Sequence, residues 1–241
     1  NYAEAVLANS SFSLASTAMD FSKNWVAGSS SPEIIFAYVN NSRASSPLNF
    51  TLYVNDTDGS WNYAPSDWCY SSLFADDNTL SRKGDVRSKA TFTSQDANRV
   101  IKYPNGTYQL AETSDYTCTP VVISRISEMY LVKAEALGKM NGAATLVEYM
   151  KKRYTTAPSE AAIKALSDKE YQTLILDERR REFYAEGMRW QDIKRTNRLE
   201  LLETLDGRTY LMYYPIPQDE IDMAGTVAYP QNPGYAGYTG N

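Results

Sequence analysis

Glu178 and Glu182 stand four residues apart in the most heavily charged stretch of the sequence, Asp177 to Arg195, which reads DERRREFYAEGMRWQDIKR. On an α-helix, side chains at positions i and i+4 lie about 5–6 Å apart, near the separation of the two carboxyl groups in a retaining glycosidase. The same two residues continue the apolar stripe of Tyr171, Leu174 and Ile175, with Ala185 beyond them, so helical periodicity turns them toward a buried face. An unpaired carboxylate is costly to bury, and guanidinium groups are its natural partners. Arg179, Arg180, Arg181, Arg189 and Arg195 are the nearest in sequence. Two chemistries therefore compete: a hydrolytic pair in an open cleft, or a structural ion-pair network of Glu178, Arg179, Arg181, Glu182, Glu186, Arg189, Asp192 and Arg195. The network is the better reading, because crowding arginines lower a carboxylate's pKa and spoil a general acid. Catalytic residues are therefore expected to be absent.

A second group of residues suits recognition. Trp61, Tyr63, Trp68 and Tyr70 fall within ten residues, interleaved with Asn62 and Asp67. A flat aromatic surface matches the apolar face of a sugar ring, while amides and carboxylates meet its hydroxyls. These six are the candidate ligand-binding residues. The competing role for Trp68 and Tyr70 is packing, since with Leu73 and Phe74 they can form the inner face of a short helix.

Several chemistries are excluded or unsupported. There is no histidine, which removes His-based zinc sites and the usual Ser-His-Asp and Cys-His nucleophile systems. Asp56-Thr-Asp-Gly59 suggests a calcium loop, but with Gly59 at position six, Val54 and Pro65 occupy the two end ligand positions, so an ordinary Asp-Gly turn is expected. No metal or other cofactor is called for. A net charge of −5 without a basic stripe argues against nucleic acid as a partner. Cys69 and Cys118 can pair or remain buried thiols. Mean hydropathy is −0.48, and no run of apolar residues is long enough to span a bilayer.

The elements that must position these residues can be read in order. Tyr2, Ala5, Val6 and Leu7 give a short amphipathic helix with an exposed apolar side. Residues 33–39 and 50–54 are β-branched and aromatic and predict strands, as do 88–92 and 99–103, with a short helix over 67–74 between them. Apolar faces through Ile123, Ile126, Tyr130, Ala134 and Leu137, and through Met129, Val132 and Ala136, predict a sandwiched helix over 121–140. Asn141-Gly142 should end it, and Ala143, Leu146, Val147, Met150 and Tyr154 mark a second helix folding back antiparallel. Ser167-Asp-Lys-Glu170 has the capping-box form, so the charged helix should start at Asp168 and run to Gly187, with 190–198 helical after a bend. Pro215, Pro217, Pro230 and Pro233 leave the tail extended, with Tyr213, Tyr214, Ile216, Ile221 and Tyr235 as its anchors.

Three ordered segments resemble one known family. The run Asp177–Arg195 resembles the signature of the SusD/RagB family. Residues 126–136 resemble its helix of the form R-x-x-E-x-Y-L-x-x-A-E-A, and Tyr214–Ile221 with Gln231–Tyr235 resemble its C-terminal close. The resemblance implies a mainly α fold (α+β minor) of TPR-like antiparallel helix pairs with short strands and a long loop-rich region. It also implies that residues 1–241 are the C-terminal portion of such a protein: 1–30 the end of a helical region, 31–120 the strand and loop region with the candidate rim, 121–198 the TPR-like helices and 199–241 an extended wrap. The implied function is non-catalytic capture of an oligo- or polysaccharide at the surface of a Bacteroidetes outer membrane, for delivery to a SusC-like TonB-dependent transporter. Attachment would run through an N-terminal lipid that this sequence does not contain. A peptide-binding helical scaffold and, more remotely, a glycosidase using Glu178 and Glu182 are the alternatives.

Overall fold

A computed structural model describes residues 2–26, 31–39, 64–92, 100–102, 120–202, 205–224 and 229–236. The chain divides into two compact units, residues 1–186 and 187–241. Helix dominates the first, with α1 (Tyr2–Leu7), α2 (Ala18–Ser22), α3 (Val86–Thr91), α4 (Ile126–Arg153), α5 (Glu160–Lys164) and α6 (Asp168–Glu182). Two small antiparallel sheets complete it. One pairs β1 (Ile34–Tyr38) with β3 (Val121–Arg125), and the other pairs β2 (Lys83–Asp85) with β4 (Tyr154–Thr156).

α4 is a helical hairpin. Gly138 breaks its helical geometry at φ +68°, ψ 172°, a conformation open essentially to glycine alone. The two arms then run antiparallel: Tyr130 donates to Glu148 at 3.0 Å, and Gly142 lies against the Ala134 carbonyl so closely that a Cβ there would collide with it. The turn is therefore four residues earlier than Asn141-Gly142 suggests, and Gly142 serves close packing inside the second arm. Ala143, Leu146, Val147, Met150 and Tyr154 are all buried. In the first arm Ile126, Leu131 and Ala134 are buried while Val132 and Leu137 are partly exposed, and Ile123 belongs to β3 with its side chain exposed.

α6 begins at the expected place. The Ser167 hydroxyl accepts from the Glu170 amide at 3.2 Å and the Glu170 carboxylate accepts from the Ser167 amide at 2.7 Å, satisfying two donors that a helix start leaves free. It ends sooner, at Glu182, where Phe183 caps it and Ala185 turns to φ +65°. Residues 86–91 are a helix, not a strand, because Asp85 accepts from the Arg87 amide and starts a helical turn there. Among the described residues an isolated Phe92–Val100 bridge, with the Ile101 amide donating to the Thr91 carbonyl at 2.8 Å, keeps part of the expected strand pairing. Residues 67–73 are helical with a π turn over Cys69–Leu73. That turn, α2 and α3 supply an apolar core of Phe21, Trp25, Cys69, Leu73, Phe74, Ala90 and Phe92. The strand expected at 50–54 lies outside the described residues. In α1, Tyr2 is exposed and Ala3 buried.

The second unit contains α7 (Met188–Thr196), started by Gly187 at φ +78° and ended by Asn197 at φ +53°, and the short α8 (Gln218–Met223). A clamp organises its tail. The Gln231 amide accepts from the Ile216 N–H at 2.7 Å and donates to the Ile216 carbonyl at 2.8 Å, and the Asn232 amide donates to the Tyr214 carbonyl at 2.8 Å. Tyr235 donates to the Tyr213 carbonyl at 2.6 Å and sets its ring edge-on to Tyr210. Gly234, at φ +89°, lies against the Tyr210 ring where no Cβ would fit. Tyr213 and Tyr214 thus tie the tail through their carbonyls; their rings, expected as anchors, are exposed.

Candidate functional site

The buried charge converges on α6. Glu182 is fully buried. Its carboxylate accepts from Arg125 Nη1 at 2.6 Å, from Arg153 Nη2 and Nε at 2.9 Å each, from the Tyr149 hydroxyl at 2.7 Å and from Arg87 Nη1 at 3.3 Å. One turn earlier, Glu178 accepts from the Tyr154 hydroxyl at 2.6 Å and from Arg181 Nη1 and Arg87 Nη2 at 2.9 Å. Glu33, also fully buried, holds Arg153 at 2.7 Å and Arg125 at 3.3 Å and accepts from the Ala15 amide and Asn24. Glu186 joins Lys102 at 2.8 Å and Arg125 at 2.9 Å. Asp85 grips Arg87 through Nε and Nη2. Aromatic faces line this lattice: Arg125 and Lys102 lie over Trp25, and Arg153 over Phe21, positions where a cation gains from the ring quadrupole.

Both small sheets serve as clips for this lattice. Pairing of Ile34 with Arg125, and the hydrogen bond from the Ile126 amide to the Glu33 carbonyl, bring Glu33 beside Arg125. Pairing of Asp85 with Tyr154 brings Arg87 to Glu178.

The electrostatic result is that Glu178 and Glu182 stay ionised at neutral pH. Burial alone would raise the Glu182 carboxyl, but Arg153, Arg125 and Arg87 hold it well below the ordinary value, and Arg87, Arg181 and Arg82 lower Glu178 in the same way against its burial. Neither group meets solvent, and each carries several donors already. A glycosidic acid must be protonated near neutral pH and must reach its substrate; Glu178 and Glu182 do neither.

Apart from Arg181, the described guanidinium partners of Glu178 and Glu182 come from outside α6. Of the eight residues expected in one network, Glu178, Arg181, Glu182 and Glu186 take part in the lattice. Arg179 stands 3.7 Å from Glu128, and in α7, which also carries Arg189, Asp192 pairs with Arg195 at 2.9 Å. The main cations are Arg87, Arg125 and Arg153, each from a different part of the chain. Sequence reasoning missed them, with Glu33 and Lys102, because nothing local marks a residue that pairs across 29 to 120 positions. One signal was available. Arg125 is the arginine of the R-x-x-E-x-Y-L form that precedes the first arm of α4.

The candidate rim is described from residue 64 onward, so Trp61, Asn62 and Tyr63 lie outside the described residues, as do Asp56–Gly59 and Cys118. Trp68 is 44% exposed, with the Arg180 guanidinium 4.3 Å from its ring centroid. Asp67 is exposed next to it, and its carbonyl accepts from Ser71 at 3.0 Å. Tyr70 is half-buried against Phe92, with ring centroids 5.3 Å apart, and packs on the apolar core. Cys69 is a buried free thiol 3.2 Å from the Tyr184 hydroxyl. Of the rim residues described, Trp68 and Asp67 thus face solvent, whereas Tyr70 leans into the interior.

The model of the SusD family matches residues 57–209, more than half of the sequence. The chain belongs to the SusD family. A SusD-like protein of Formosa agariphila is 31% identical over 100 residues, 38% of this SusD-family chain and 20% of that protein. Among solved structures, a SusD superfamily protein from Bacteroides fragilis aligns with a TM-score of 0.65 at 19% identity, covering 97% of this chain and 57% of the other. Surface glycan-binding protein A from Bacteroides thetaiotaomicron, solved in complex with laminarihexaose, aligns at a TM-score of 0.60 and 20% identity, over 96% of this chain and 58% of that one. This SusD-family chain therefore spans little more than half the length of those structures, and shares their mainly helical, TPR-like fold with short antiparallel strands.

Proposed function

We propose that this chain is the portion of a surface nutrient-binding protein that contributes an aromatic rim for an oligo- or polysaccharide, and that it does no bond chemistry. The observation that carries this reading is the half-exposed Trp68 ring with Arg180 beside it and Asp67 next in sequence, a stacking surface accompanied by hydrogen-bonding charge. Trp61, Asn62 and Tyr63 are proposed as further ligand residues from their types and sequence positions, while Tyr70 packs on the apolar core. Membership of the SusD family and the likeness to a laminarihexaose-binding structure support glycan as the ligand. Outer-membrane surface location, a lipid anchor and hand-over to a SusC-like TonB-dependent transporter are part of the same proposal, and family membership supports them.

The test is calorimetric titration of a panel of oligosaccharides, laminarihexaose among them, into the chain and its Trp68→Ala variant. Loss of a stacking ring is expected to weaken binding by about 1 kcal/mol or more, with little change in melting temperature because the ring is near half exposed. Unchanged affinity, or preferential binding of peptides by the same chain, would reject the reading.

A further inference from the structure

The second unit carries a cleft of about 380 Å³ whose lining includes Lys194, Asn197, Thr209, Tyr210, Tyr213 and Pro233. Its walls are fixed in place. Tyr210 is held between Gly234 and the edge-on Tyr235 ring, and the Tyr213 backbone is tied by the Tyr235 hydroxyl. Tyr213 is 62% exposed, and the Lys194 ammonium stands 5.6 Å from its ring centroid. No carboxylate is among the described residues lining the cleft. Lys194, Asn197 and Thr209 are exposed there, so an ammonium, an amide and a hydroxyl line the same cavity as two tyrosine rings.

We infer that this cleft is a second carbohydrate site, selective for a pyranose that bears a carboxylate, a hexuronate. The tyrosine wall offers the apolar surface on which a sugar ring stacks, Asn197 and Thr209 offer partners for hydroxyls, and Lys194 meets the carboxylate. Charge supports the choice of an acidic sugar over a neutral one. On a chain of net charge −5, a pocket that contributes a cation and no described acid is a place where an anion is attracted. The walls come from elements held by side-chain-to-backbone ties, so little ordering is required on binding. The ligand class rests on the glycan-capture reading; the site itself does not involve the rim.

The experiment measures binding of tetragalacturonate to the whole chain by calorimetry at two salt concentrations, alongside the neutral oligosaccharide panel. Lys194→Gln is expected to weaken tetragalacturonate about tenfold and to remove the salt dependence, while leaving neutral-sugar binding unchanged. Tyr213→Ala is expected to weaken it about tenfold as well, and melting temperatures verify that both variants fold. Trp68→Ala should weaken the neutral ligand and spare the acidic one. The inference is overturned if tetragalacturonate does not bind while neutral sugars do, or if it binds and responds to Trp68→Ala but to neither cleft variant. Failure of both ligand classes would remove the glycan-capture reading along with it.

Discussion

Glu182 is the residue on which the first unit turns. It draws guanidinium groups from α3, β3 and the second arm of α4 onto the end of α6, so it fixes elements far apart in sequence at one point. Neutralising it leaves Arg125 and Arg153 buried with Glu33 as their remaining shared counter-charge. Breaking a buried pair from one side costs roughly 3–5 kcal/mol, so Glu182→Gln should lower stability by about that amount in urea titrations; a loss below about 1 kcal/mol would contradict the assigned role. The pH profile has two limbs. Glu178 and Glu182 ionise below the ordinary value of 4.5 in the folded state, so their contribution is complete above that pH and is lost as pH falls through their folded pKa values. Lys102 acts at the other end. Burial, reinforced by Arg125, pushes it down to about 8 despite Glu186, so between pH 8 and 10 the unfolded chain binds more protons and stability rises with pH. Lys102→Met should flatten that rise, measured as denaturation midpoint against pH, and an unaltered slope would refute the assignment.

The helical hairpin α4 depends on two glycines with separate tasks. Gly138 makes the turn through a backbone conformation that side chains avoid, with open space around it, whereas Gly142 permits close approach in an ordinary helix. Gly138→Ala and Gly142→Ala should each cost about 1–3 kcal/mol, the first by backbone strain and the second by overpacking. Asn141→Ala should change stability by less than about 0.5 kcal/mol, since Asn141 is an exposed residue within the second arm. Thermal unfolding of the three variants separates this arrangement from one that turns at Asn141-Gly142. Features encoded locally were legible in the sequence: the Ser167–Glu170 cap, the buried stripe from Ala143 to Tyr154 and the burial of Glu178 and Glu182. Asn141-Gly142 misled because Asn-Gly usually marks a turn, and its helical geometry depends on contact with Ala134. The segment 88–92 misled because its β-forming composition is outweighed by the Asp85 cap. The cations of the lattice were not legible because their partners are set by strand pairing. Of the rim, residue type alone did not separate the half-exposed Trp68 from Tyr70, which leans on Phe92.

At the scale of the molecule, the first unit buries Glu33, Glu178 and Glu182 in an ion-paired, hydrogen-bonded interior, and its proposed sugar-facing group is Trp68 beside Asp67 and Arg180. Such a division fits the proposed reading of ligand binding without chemistry. Among the described residues no helix is long and apolar enough to cross a membrane, and no cluster of acids and thiols could hold a metal ion. The most direct test of binding without chemistry is equilibrium dialysis of a mixed oligosaccharide pool against the chain, followed by mass analysis of the sugars on both sides. Retention of a subset of oligosaccharides on the protein side, with every chain length unchanged after prolonged incubation, is the expected result. The appearance of shorter products, or an even distribution of all sugars across the membrane, would contradict it.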